Sequence, residues 1–220
     1  MSLKKDITFL GLDYKKELLK IFAINLILGG FLAFIIIFSK EIYIIAFGIL
    51  TVVTFDYILL SSFSSKRKAT MRNRKDEFIQ LISYFSIYLS NDMNVYHAFE
   101  CIIPFASEWM RDELKKLLSD IDKDKSIVPY IEFAKKFESS DIENVINAIY
   151  QINEDDNVSR LARFDLVFTN LKNINRKEQL DSKGKSLDLL NNLAIFGAGF
   201  IAILLTIGVT NIIGGMLNGV

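Results

Sequence analysis

Residues 42–63 read IYIIAFGILTVVTFDYILLSSF, an apolar run whose one ionisable group is Asp56. About 20 apolar residues in a helix cross a hydrocarbon core of ~30 Å, so this run predicts a transmembrane span. Immediately before it, across Lys40 and Glu41, residues 21–39 read IFAINLILGGFLAFIIIFS with no ionisable group at all. Two spans joined so tightly predict a membrane hairpin. A third apolar run, LAIFGAGFIAILLTIGVTNII at 193–213, predicts a closing span with a short tail at 214–220. The first run starts late and is followed at once by the second, which argues against a cleaved signal peptide.

The rest of the composition agrees. Hydrophobic residues make up 51% of the chain, more apolar surface than one soluble core absorbs. Lys and Arg number 26 and Asp and Glu 26, yet this balance hides charge-free runs alternating with a densely charged middle. No nucleic-acid partner is expected. A single cysteine, Cys101, excludes an intramolecular disulfide, a zinc finger and a redox pair. Two prolines, and glycines concentrated in the apolar runs, predict an all-α fold of helices joined by short turns.

Basic residues set the expected orientation. Lys4, Lys5, Lys15, Lys16 and Lys20 precede the first run, and Lys66, Arg67, Lys68, Arg72, Arg74 and Lys75 follow the second. By the positive-inside rule both flanks face the cytoplasm, whereas the Lys40-Glu41 turn and the tail face outward. The expected protein is therefore a multi-pass membrane protein with three transmembrane helices. Residues 1–20 form a cytoplasmic segment, 21–63 the hairpin, 64–192 a cytoplasmic domain, 193–213 the third span and 214–220 an extracytoplasmic tail.

Within 64–192, Phe78, Leu81, Ile82, Phe85 and Leu89 make one helical stripe, and Ile142, Val145, Ile146, Ile149 and Ile152 another. Start and stop signals predict an antiparallel bundle of about six helices, near 71–90, 95–104, 107–122, 127–138, 141–153 and 158–190. Ser107, Ser126 and Ser140 are the expected N-caps, and 138–141 (ESSD) a helix break. An internal echo stands out. LSNDMNV at 89–95 and INEDDNV at 152–158 share Asp-x-Asn-Val between an apolar helix and the next one. In this reading Asn94 and Asn157 cap the following helices, and Asp92 and Asp155 take the left-handed geometry that ends the preceding ones.

At this point the chain resembles the type II secretion system F domain family, in particular its single-domain Tad/Flp pilus type. The resemblance rests on the apolar helix 78–89, the turn 92–95 and Ala98-Phe99. It continues through VPYIEFAKKF at 128–137, a helix through Tyr150, the turn at Glu154-Asp155, a long polar helix and a closing span. Asp92 and Asp155 stand where the family has glycine, and Asn191-Asn192 where many members have a proline. The resemblance implies a non-enzymatic platform in the cytoplasmic (inner) membrane of a bacterium or archaeon. Its implied partners are a hexameric secretion or pilus ATPase, a pilin or pseudopilin, membrane lipid, and further copies or a paralogous platform subunit.

Other signals point to solvated or structural roles. Gly184-Lys185-Ser186 has the ending of a phosphate-binding loop, but Gln179 occupies the position of its first glycine and no strand precedes it. Asp120, Asp122 and Asp124 have calcium-loop spacing, but Lys125 and Ile131 stand where glycine and a bidentate acid are needed. His97 and Cys101 lie four apart without further soft ligands, and read as a half-buried His beside a small core Cys. No catalytic residue, metal or cofactor is expected. Asp56 carries two readings, a contact for a partner's intramembrane charge or an acid that reaches the headgroups or Thr54. The rival to the platform is a membrane-anchored signalling or defence protein with a cytoplasmic helical sensor.

Overall fold

The structure, a computed structural model, describes residues 3–38, 42–154 and 158–217. It is all-helical, with no strand among the described residues. The helices are α1 (Leu3–Phe9), α2 (Tyr14–Phe38), α3 (Ile42–Ser90), α4 (Val95–Ile102), α5 (Glu108–Lys123), α6 (Val128–Lys135), α7 (Ser140–Glu154) and α8 (Val158–Leu217), with a 3-10 turn over Ile103–Phe105. They fall into two compact units, Met1–Glu138 and Ser139–Val220.

In the first unit α2 and α3 pack along one another, and both are long and apolar enough to cross a membrane. Almost none of their apolar length is buried inside the protein, unlike the core helices of a soluble fold. α3 does not stop where the apolar run ends. At ~1.5 Å per residue its 49 residues extend about 73 Å, far beyond a bilayer core, so the predicted span and the predicted helix at 71–90 are one rod. Its distal part buries Phe78, Leu81, Ile82, Phe85 and Leu89, the whole expected stripe. Against this stripe lie Phe99 of α4, with its ring 4.6 Å from that of Phe85, and Phe137 after α6, 5.0 Å from Phe78.

The N-terminal segment is more ordered than its sequence suggests. α1 buries Asp6 and Ile7 and ends at Gly11, whose φ of 72° is the left-handed geometry that glycine adopts without strain. α2 then starts at Tyr14, seven residues before the apolar run, and Asp13 accepts a hydrogen bond from the Lys15 N–H at 2.9 Å to cap it.

In the second unit α7 buries Ile142, Val145, Ile146 and Ile149, and α8 buries Phe164, Phe168 and Leu171. Ile152, the fifth member of the expected stripe, is half-buried. α8 runs without a break for 60 residues, about 90 Å, and includes the third apolar run; most of that run's side chains lie outside the described residues.

Candidate functional site

The most constrained cluster of charge lies where α3 leaves its apolar part. Arg67 sits one helical turn past buried Phe63, and the guanidinium is only 4% exposed. One of its nitrogens donates to Asp6 Oδ1 of α1 at 3.0 Å, and another reaches both carboxylate oxygens of Glu138, at 2.7 and 2.6 Å. Asp6 is as buried as Arg67, whereas the Glu138 side chain is 49% exposed. Arg67 Nε is buried without a hydrogen-bond partner, so the cluster is strongly paired yet imperfectly satisfied. Glu138 reaches Arg67 from a backbone at φ 48°, a left-handed conformation that is strained for a residue with a Cβ.

Two turns further along α3, Arg74 extends the cluster by stacking. Its guanidinium lies 3.8 Å from the Trp109 ring centre and 4.9 Å from that of Phe9, and the Arg67 guanidinium lies 5.2 Å from the same Phe9 ring centre. Phe9, the last residue of α1, thus touches two cations through its ring. Burial pushes the Arg74 pKa down, opposed by Glu113 and Glu77. Glu77 in turn binds the Ser107 N–H at 2.6 Å and its hydroxyl at 2.8 Å, so α3 caps the start of α5. The cluster thereby joins α1, the emerging α3, α5 and the end of α6 into one charged joint.

In sequence terms Arg67 and Arg74 are only orienting charges, Glu138 is only part of a helix break, and Asp6, Phe9 and Trp109 carry no distinguishing motif. Three acids, Asp6, Asp13 and Glu17, lie in the basic stretch before the first apolar run, and nothing in the sequence separates Asp6 from the other two.

The residues the sequence did single out are scattered. Asp92 has φ 61°, the expected left-handed residue, and Asn94 caps α4 by accepting the His97 N–H at 2.9 Å. Asp155 and Asn157, their counterparts in the echo, lie outside the described residues. Asp56 lies within α3, in its apolar part, with Oδ1 enclosed and lacking a hydrogen-bond partner. Thr54 does not supply one, since its hydroxyl donates to the carbonyls of Leu50 and Thr51, both at 2.9 Å.

Of the expected N-caps, Ser107 occupies the cap of α5 but turns its hydroxyl to Glu77, whereas the N-cap of α6 is Ile127 and not Ser126, which lies one residue earlier and accepts the Val128 N–H on its Oγ at 3.2 Å. Ser140 is instead the first residue of α7.

The remaining motifs separate in space. His97 is exposed rather than half-buried and pairs with Glu100 at 2.7 Å, while the Cys101 thiol turns to Met93 Sδ at 3.8 Å. Asp120 pairs with Lys123, Asp122 accepts from the Tyr96 hydroxyl and Asp124 accepts from the Ser126 N–H, three different partners for three acids. Gly184 lies inside α8, a continuous helix rather than a loop that wraps a phosphate. A cleft beside Glu113 and Lys136, of about 10 Å³, holds no more than a water molecule. No family model matches the chain, and neither a curated protein nor a solved structure is similar to it.

Proposed function

We propose that this chain is an inner-membrane assembly-platform subunit of a Tad/Flp-type pilus or type II secretion-like system, which couples a cytoplasmic ATPase to pilin assembly by contact and catalyses nothing itself. The observation that carries the reading is helical continuity. α3 passes from an apolar, protein-free surface straight into the core of a charged helical region, and α8 passes from α7 to the third apolar run without a break. A rod of this kind transmits displacement, because kinking it sharply requires disrupting its backbone hydrogen bonds. The charged joint around Arg67 braces the first rod where it leaves the apolar part.

In this reading three spans cross the membrane, and residues 64–192 form a cytoplasmic bundle of about six helices. The basic flanks put the N-terminus inside and the C-terminus outside. The bundle receives the hexameric ATPase, and the spans meet the pilin or pseudopilin and a second platform subunit. Co-purification of the full-length chain with the ATPase encoded beside it tests the partner. Deletion tests the role, with loss of surface filaments or secretion and retention of prepilin in the membrane as the expected result. Intact filaments in a deletion strain with no paralogue refute the reading and favour a membrane-anchored sensor.

A further inference from the structure

A polar level interrupts the otherwise apolar α2–α3 hairpin. On α2 the residues Ile24, Asn25 and Leu28 are partly covered, and on α3 Val52, Asp56 and Leu59, while the residues between them are exposed. These are the two contacting stripes. Their register follows from one close approach, since a methyl group placed on Gly48 would stand 3.6 Å from Leu32 Cδ1. In an antiparallel pair, seven residues back from Leu32 and seven on from Gly48 reach Asn25 and Phe55. Asn25 and Asp56 therefore share one level, about 10 Å along the helix from Phe63 at ~1.5 Å per residue.

This carboxyl is poorly provided for. Its enclosed Oδ1 has no hydrogen-bond partner. The hydroxyls of Thr54, Ser61 and Ser62 all donate to carbonyls of their own helix. An aspartate side chain is too short to reach the headgroups from this depth, and a headgroup amine does not descend to it. A second copy brings no cation either, because residues 21–38, 42–63 and 193–213 contain no Lys, Arg or His.

An acid left in hydrocarbon without a partner is expensive, and a buried cation from another membrane helix is one partner that removes the penalty. We propose that Asp56, with Asn25 beside it, is the docking point for a transmembrane helix of a different protein that carries a lysine or arginine at this depth. The inference rests on the membrane placement of the hairpin and not on a role in filament assembly.

The test reconstitutes the full-length, fluorescently labelled protein in phosphatidylcholine vesicles. Its probe is a single-span polyleucine peptide with one lysine seven residues from its end, compared with the same peptide bearing leucine there. Energy transfer is expected to show the lysine peptide associating roughly three- to tenfold more tightly. That preference should vanish in Asp56→Asn and Asp56→Leu and weaken in Asn25→Leu. Equal association of the two peptides with the wild-type protein overturns the proposal, as does a preference that survives in both Asp56 variants. If the peptides bind alike while transfer between labelled copies of the chain collapses in Asp56→Asn, the carboxyl serves self-association and the proposal fails. Flotation of the vesicles separates the two levels of failure. Protein that does not float with lipid sinks the hairpin placement and the proposal together, whereas floating protein that ignores the lysine sinks the proposal alone.

Discussion

Replacing Arg67 with alanine strands a buried acid. Asp6 and Arg67 have side chains 5% and 4% exposed, with 3.0 Å between their charged atoms. At an effective dielectric constant of about 20, unit charges at that distance attract by roughly 5 kcal/mol, and withdrawal of both from water offsets much of this. The asymmetry lies in removing one partner only. Asp6 then stays buried without its cation, and loss of one member of a buried pair costs about 3–5 kcal/mol. Glu138 adds little, because a carboxylate 49% exposed regains water when Arg67 goes. The double variant Asp6→Leu/Arg67→Met should recover most or all of the loss, because it also removes the unpartnered Arg67 Nε. Denaturant unfolding of the purified full-length protein in detergent, followed by circular dichroism, measures all three species. A loss below 1 kcal/mol in Arg67→Ala, or a double variant no better than the single one, would refute the view of this joint as a tightly coupled buried pair.

Further expectations follow from other elements. Leu187→Pro removes one backbone hydrogen bond inside α8 and should cost about 3 kcal/mol locally. Assayed by filament counts beside ATPase co-purification, it should abolish assembly while the protein still inserts and binds; normal filament numbers would contradict transmission through this helix. Glu77→Ala should destabilise by about 1–2 kcal/mol and Glu77→Gln by less, measured by the same unfolding curves, since Glu77 supplies the cap of α5. Hydrogen bonds from the Ser126 backbone and hydroxyl hold the Asp124 carboxyl below the usual carboxylate range. Its contribution is therefore full above the pKa of unfolded aspartate, ~3.9, and lost as pH falls through the lower folded value. Stability curves of wild type and Asp124→Asn should differ above pH ~4 and converge in stronger acid; a constant offset down to the lowest pH would contradict the assignment.

The helices that carry the two apolar stripes were legible in the sequence because their buried faces are built at helical spacing. Phe78 through Leu89 and Ile142 through Ile149 recur every three or four residues, and all the members named on those two stripes up to Ile149 are buried. The turn at Asp92 and the cap at Asn94 were legible because their side-chain chemistry acts within three residues. α1 was not. Its seven residues, LKKDITF, are too short for a periodic stripe, and they are held by contacts with residues far along the chain. Arg67 was misjudged for a related reason, since a basic residue beside an apolar run satisfies the orientation rule whether or not it is also buried in a pair. His97, read as half-buried, is exposed because the buried stripe of α4 runs through Val95, Ala98, Phe99 and Ile102 and leaves position 97 outside it.

The links from Arg67 span 61 residues back to Asp6 and 71 forward to Glu138. During translation, then, α1 finds its counter-charge only after the α2–α3 hairpin has been made, and that charge is fully matched only when residue 138 follows. Closure of such long loops is slow relative to local helix formation. A nascent chain arrested between Arg67 and Glu138 would hold an incomplete joint, so this one arginine marks how far synthesis of the first unit has progressed.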